Sequence, residues 1–284
     1  MTADRVVIFA LGLTSLVLHV RASAQDDWKR WANGESWRIS AGYFLPKLDT
    51  AIQVTDAEGN IGTRISFEKN LGLDDNKGTG LLSIDWRFFK RHQLSYSYFQ
   101  LKRSSISDDS SVSVIIGDTV FDLSLPIQSF FDITANEIAY SYSVLFNEPT
   151  DLYLGIGVSV QEIAVGLQGT ASSPDPGAIL DENLATTSPL PTLNVGFNYA
   201  FSDKWIFQSR LGWLAVEADL GADEILDGRI INANAGIRWK AFPHVGFFAQ
   251  YQVFDVDVDF RERGAVWIVD YDYQGPLIGV DVSF

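Results

Sequence analysis

The chain ends Leu277-Ile278-Gly279-Val280-Asp281-Val282-Ser283-Phe284, and in this stretch Ile278, Val280, Val282 and Phe284 fall on every second residue. A period of two is that of a β-strand with one apolar face. The same period recurs upstream. Trp37, Ile39, Ala41, Tyr43 and Leu45 alternate with Arg38, Ser40, Gly42 and Phe44, and Leu82, Ile84, Trp86 and Phe88 with Ser83, Asp85 and Arg87. Ile138, Tyr140, Tyr142, Val144 and Phe146 form a third such set, Leu193 to Phe201 a fourth, and Ile231 to Trp239 a fifth.

A soluble β-sandwich also alternates, so three further features decide. The non-apolar face is rich in Gly, Ser and Asn with scattered charges, which suits a polar barrel interior. Tyr, Trp and Phe gather near strand ends, where a membrane-interface girdle sits. Connections alternate between tight and long. Lys90-Arg91-His92, Asn147 to Thr150, Ser202-Asp203-Lys204 and Pro243-His244 are tight, while the loops near 47–78, 105–132, 170–188, 220–228 and 261–266 are mostly longer and acidic.

The expected fold is all-β: a transmembrane antiparallel up-and-down β-barrel. Its strands are placed near 36–46, 79–90, 92–105, 133–146, 151–169, 189–201, 204–219, 228–241, 244–260 and 267–284, ten in all, with eight and twelve left open. Glu58-Gly59-Asn60 and Gly117-Asp118 read as hairpin tips beyond the membrane.

Composition narrows the function. The 284 residues are 46% hydrophobic and 13% aromatic, too apolar for a disordered chain. With no Cys, disulfides, thiolate nucleophiles and Cys-based zinc sites are excluded. A net charge of −15 argues against a nucleic-acid partner. Val6 to Val20 is a mostly apolar run ended by Arg21, and Ala22-Ser23-Ala24 supplies small-x-small, so a signal peptide over 1–24 is expected, cleaved after Ala24. Its removal, with two arginines and one aspartate, takes the charge from −15 to −16. Residues 25–35 read as a short periplasmic segment and 36–284 as the barrel.

The stretches Phe67-Glu68-Lys69-Asn70-Leu71-Gly72-Leu73-Asp74, Gly117-Asp118-Thr119-Val120-Phe121 and Tyr271-Asp272-Tyr273-Gln274-Gly275-Pro276-Leu277 resemble those of a family of Gram-negative outer-membrane β-barrel proteins, similar in kind to the small OmpA/OmpX/OmpW-type barrels. The resemblance implies location and fold and carries no catalytic residue. The terminal alternation into Phe284 likewise resembles the signal by which such barrels are recognised by the assembly machinery.

Outer-membrane hydrolases use a His beside a carboxylate or Ser near a rim. Here His19 falls in the signal, and His92 and His244 fall in tight turns, so no catalytic residue and no cofactor is expected. Arg38, Asp85, Arg87, Glu137, Arg210, Arg238 and Lys240 face inward, five cations against two anions. They read as a lumen charge network, or as the anion-favouring constriction of a narrow channel. Asp255, Asp257, Asp259, Asp270 and Asp272 form an acidic rim, with Arg261 and Arg263 as the nearest counterions. The rim is either solvated or a Ca²⁺ or Mg²⁺ site. Asp272 would face lipid by parity, so either Gly275-Pro276 forms a bulge or the segment stands above the hydrocarbon. The leading expectation is a non-enzymatic, monomeric outer-membrane barrel with periplasmic termini. It would contact lipid and lipopolysaccharide in a structural or cell-surface role, with a narrow channel second and a hydrolase third.

Overall fold

The computed structural model describes residues 36–55, 64–107, 113–116, 119–122, 127–147, 149–173, 179–221, 224–262 and 265–284. The expected signal peptide, the segment 25–35, and the tips at 58–60 and 117–118 lie outside them. The barrel is built from ten antiparallel strands: β1 (Trp37–Phe44), β4 (Thr79–Phe89), β5 (His92–Ser107), β8 (Ile127–Asn147), β9 (Thr150–Ser173), β10 (Ile179–Ala200), β11 (Trp205–Gly221), β12 (Glu224–Lys240), β13 (Val245–Glu262) and β14 (Ala265–Ser283). Each pairs with the next, and β14 pairs back onto β1 from Arg38↔Ser283 to Phe44↔Leu277. Closure removes the sheet edge, so every strand can satisfy its backbone on both sides.

The first and last strands of the barrel meet at one rim, where Ser36 N and Trp37 N donate to Phe284 O. The connections at Lys90–Arg91, Phe201–Lys204 and Ala241–His244 lie at this turn end. Outward side chains above it are apolar: on β14, Phe284, Val282, Val280, Ile278 and Pro276. Trp37 stacks on Trp86 and Trp205 on Trp239 (centroids 5.1 and 5.8 Å apart), forming an aromatic girdle.

Higher up, the pattern inverts. On β14 the outward residues become Gln274, Asp272 and Asp270, while Tyr273 and Tyr271 point inward and are buried. On β13, outward Tyr251 gives way to inward Phe254 and Val256 with Asp255 and Asp257 outside. On β8, outward Ile138 and Tyr140 give way to inward Ile133 and Phe131. The wall is thus apolar-out toward the turn end and apolar-in toward the loop end. The sequence reading made the interior polar throughout, so the apolar loop half of the lumen is a correction. The reason is a core there that needs apolar partners.

Part of that core comes from the first long connection, which is not a plain loop. β2 (Lys47–Thr55) continues β1 along β14 in unbroken register, since Phe44↔Leu277 is followed by Lys47↔Gln274. Leu45 N bonds Pro276 O at 3.0 Å, and no bulge forms at Gly275-Pro276. The regular strand leaves Asp272 outward, above the apolar band. β3 (Ile65–Ser66) pairs with β2, and a one-turn helix, α1 (Phe67–Asn70), follows with Ser66 Oγ accepting from Lys69 N. β6 (Ser113–Ile116) and β7 (Thr119–Asp122) pair as a hairpin beyond the barrel, on either side of the expected tip.

One further inward assignment differs from the sequence reading. The β8–β9 register shifts between Ser143 and Leu145, so Val144 and Leu145 both face outward. Phe146 consequently turns inward beneath Arg87, whose guanidinium carbon is 5.0 Å from its ring centroid.

Gly275 sits where a Cβ would lie 2.1 Å from Leu45 O and 3.1 Å from Pro46 Cα. Gly275→Ala should therefore force the β1–β2 junction off β14 and lower the unfolding free energy by about 1–3 kcal/mol. Pro276→Ala, at an exposed neighbour, should leave it nearly unchanged. Denaturant unfolding followed by heat-modifiable gel mobility reads the difference.

Candidate functional site

The lower lumen is a charged network. Arg238 and Asp281, each about 1% exposed in the side chain, pair through Arg238 Nε at 3.0 and 2.9 Å from the two carboxylate oxygens, and Arg238 also bonds Ser283 Oγ at 3.4 Å. Gly246 leaves the room, since a Cβ there would lie 2.8 Å from Asp281. Arg87 bonds Asp151 at 2.7 Å, Gln93 Oε1 at 3.1 Å and Ser143 Oγ at 3.1 Å. Asp85 accepts from Ser95 Oγ at 2.7 Å and Gln93 Nε2 at 3.0 Å. At mid-height Arg210 pairs with Glu137 and bonds Asn194 Oδ1 at 3.2 and 3.1 Å. Arg38 lies opposite Asp85 in the β1–β4 register, and Lys240 falls on the inward parity of β12.

All seven sequence-predicted lumen charges therefore fall on the inward parity, but the charge count changes. Asp151 and Asp281 also face inward and are buried, so five cations face four anions rather than two. Asp281 lay on the parity already read from the C-terminal strand. Asp151 stands at a strand start, where alternation gives little guidance.

Two cavities stack inside the wall. The lower, about 180 Å³, is lined by Arg38, Asp85, Arg87, Tyr153 and Arg210 among others and reaches Ser36 at the turn end. The upper, about 150 Å³, is bounded by Glu137 and Arg210 below and by Phe44, Phe99, Phe254 and Tyr273 above. Phe254 stacks on Tyr273 at 4.5 Å and Tyr273 on Phe99 at 5.3 Å. Over this aromatic layer the strap of residues 65–73 folds inward and buries Ile65, Phe67, Leu71 and Leu73 against Leu101, Phe131, Ile133 and Val256.

One buried arginine fastens the strap. Arg103 pairs with Glu68, bonds Thr50 Oγ1 at 2.7 Å and Asp74 O at 3.3 Å, and lies 5.3 Å from the centre of the Phe131 ring. Glu68 also accepts from Thr50 N at 2.9 Å, and Leu48 N donates to Asp75 O at 2.8 Å. The sequence reading missed Arg103 and Glu68, because their partners lie 35 residues apart.

The acidic rim assembles on the outer face. Asp272 lies between Asp255 on β13 and Asp49 on β2, and Asp270 lies opposite Asp257. Arg229 pairs with Asp257 and, at 3.4 Å, with Asp255, while Arg64 pairs with Asp270. The Asp259, Arg261 and Arg263 side chains lie outside the described residues. Among the described residues no set of three or more His, Asp or Glu is placed to hold a metal ion. The crowding still acts on protonation. Burial, then the neighbouring Asp255, Asp257, Asp49 and Asp270 carboxylates, pushes Asp272 up to about 7. Burial and Asp257 raise Asp255 against the lowering effect of Arg229.

The two described histidines sit at the turn end. His92 Nδ1 is 2.7 Å from Tyr140 Oη, and His244 Nδ1 is 2.8 Å from Ser283 O.

A closed ten-stranded wall, apolar outside and charged within over its turn half, defines a β-barrel of the outer-membrane class. No protein-family model and no curated protein matches the chain. Among solved structures it is similar to the outer membrane protease OmpT of Escherichia coli, at 10% identity and TM-score 0.55 over 87% of this chain and 97% of that one. Further matches are OprG of Pseudomonas aeruginosa (11%, TM-score 0.41, 88% and 96% covered) and Neisserial surface protein A (12%, TM-score 0.34, 88% and 97% covered). The likeness to OmpT is one of fold.

The rim gives a pH prediction. Asp272 holds its proton more tightly folded, at about 7, than unfolded, at the ordinary 3.8. The folded state therefore binds more protons between those values, and stability falls as pH rises through that window. The melting temperature should rise as pH drops from 8 to 5, and Asp272→Asn should flatten that rise.

Proposed function

We propose that this chain is an integral outer-membrane barrel whose role is structural or interactive at the cell surface, and that it is neither an open pore nor an enzyme. The observation that carries this reading is the occupied lumen. A network of ion pairs crosses the turn half and leaves only small cavities, and the strap with its aromatic layer packs the loop half. In this reading the tight turns and chain ends face the periplasm, and the tall loop-end strands stand outside the cell among lipopolysaccharide. Phe284 closes the β14–β1 rim as the element the assembly machinery would read. The charged lumen is then the wall's internal brace.

A narrow channel for small anionic solutes is the second reading. The stacked cavities and the cation excess favour it, and it requires the strap to leave. A hydrolase is the third. OmpT is a protease, but both described histidines here bond a tyrosine hydroxyl or a backbone carbonyl at the turn end.

Planar-bilayer recording of the purified protein should show no steady conductance. Replacing Phe67, Leu71 and Leu73 together by Ser should produce openings, provided gel mobility confirms a folded barrel. A large, stable open state in the unmodified protein would promote the channel reading instead. The chain has no Cys, so orientation is accessible to single-cysteine labelling. With an impermeant maleimide on intact cells, Lys77→Cys should label and Asp203→Cys should not, and the reverse pattern would invert the topology.

A further inference from the structure

The upper cavity is walled by neutral polar groups that nothing else in the lumen answers. The Ser97, Ser159, Asn234, Gln250 and Tyr273 side chains line it and make no hydrogen bond with any other described residue. Ser159 and Tyr273 are only 8% and 7% exposed. Buried hydroxyls and amides without a partner are uncommon in folded proteins. The polar atoms of these five side chains are not sealed against packed neighbours, so they open onto the cavity itself. Other polar groups of the same wall are satisfied within it: Tyr271 donates to Gln161, and Gln252 donates to Asn232.

Whatever fills this space meets three different surfaces. The floor is the Arg210–Glu137 pair, whose two charges engage each other. The side wall is hydroxyl and amide, groups that both donate and accept. The ceiling is aromatic: Phe254, Tyr273 and Phe99 stack in turn, and Phe44 meets Tyr273 and Phe99 edge-on at 5.8 and 6.1 Å. Water answers the wall but gains nothing from the ceiling. A hydrocarbon answers the ceiling and leaves the wall unpaired, which is costly. A charged ligand needs a counterion that the floor has already engaged. A saturated ring bearing hydroxyls answers all three, with its C–H bonds toward the aromatic layer and its O–H groups toward the wall.

Size and access agree. The cavity measures about 150 Å³, a volume that takes a six-membered ring. It shares Ser83, Ser97, Arg210, Asn234 and Gln250 with the lower cavity, so the two spaces adjoin and ring substituents have room below. The lower cavity reaches Ser36 at the turn end, and the strap packs over the aromatic layer at the other. The lumen is thus a pocket entered from the turn end and blind at the strap.

We propose that the upper cavity is a binding site for a neutral monosaccharide in its pyranose form, taken up from the turn end. The inference goes beyond the structural reading above and does not depend on the membrane placement. The test is equilibrium dialysis of the full folded chain, in an amine-oxide detergent that carries no sugar head, against radiolabelled D-glucose, D-galactose and D-mannose. At least one should bind saturably at one site per chain. D-Glucuronate, which adds a charge, and cyclohexanol, which lacks the hydroxyls, should each bind at least fivefold more weakly. Asn234→Leu with Gln250→Met keeps the volume and removes the amides, and should weaken binding at least fivefold in protein whose gel mobility shows a folded barrel. Should that variant not fold, Ser97→Ala with Ser159→Ala, a smaller change, should weaken binding in the same sense, while Asp203→Asn on the exposed turn should not. Absence of saturable binding by all three hexoses would leave water as the occupant and overturn the site. Binding undiminished in the folded cavity variants would overturn it too, by putting the sugar elsewhere. Equal or tighter binding of glucuronate or cyclohexanol would overturn the ligand class.

Discussion

Hydrocarbon offers no partner to a backbone N–H or C=O, and each unpaired group there costs several kcal/mol. The pairing of β1 with β14 answers that constraint, because it turns a sheet with two edges into a wall with none. The rest of the architecture is arranged around this closure. The first and last strands are spent on one seam, so the tight turns share their rim. Beyond the hydrocarbon water can take up free backbone groups, and closure is no longer required. Toward the loop end two ladders stop: β1 pairs with β4 up to Phe44↔Thr79, above which β2 pairs with β3, and β10 pairs with β11 up to Leu193↔Trp213. The protein is a barrel below and two leaves of sheet above.

The inversion of amphipathicity follows from the same change of solvent. In lipid the outer face must be apolar, and polar groups are tolerated only where other polar groups line the interior. In water the outer face can be charged and the inner face must supply a core. The switch on β13 falls between Val253 and Phe254 with no bulge, so it is made by the order of residues rather than by geometry. The leaves are then held together by the apolar core and by the strap that lies within it.

Much of this was legible in the sequence. Period-two alternation located the ten strands, and the parity of Arg38, Asp85, Arg87, Glu137, Arg210, Arg238 and Lys240 placed them inside. The inversion was legible too, since the apolar residues move from odd positions at Tyr251 and Val253 to even positions at Phe254 and Val256. Reading one parity along the whole strand hides it. Other features left no local trace. The bulge that turns Phe146 inward depends on pairing with β9, and the Arg103–Glu68 pair depends on the strap folding back. The continuation of β1 into β2 was masked by Leu45-Pro46, which reads as a strand end but sits opposite Gly275-Pro276 as a tolerated gap.

The two ion-paired layers are not energetically alike. Arg238–Asp281 lies among Gly and Ser on strands that hold each other in register, so its geometry is set by the wall. Arg103–Glu68 joins the wall to a strap anchored otherwise by apolar contacts and a few backbone bonds. Removing one partner of a buried pair strands a charge at a cost of about 3–5 kcal/mol. In the lower lumen that penalty falls on a rigid ladder, which must bear it. At the strap it can be relieved by letting the strap go, since water is close by at the loop end. The strap is therefore the part of the lumen whose filling is conditional, and the polar network below it is the part whose filling is built into the barrel.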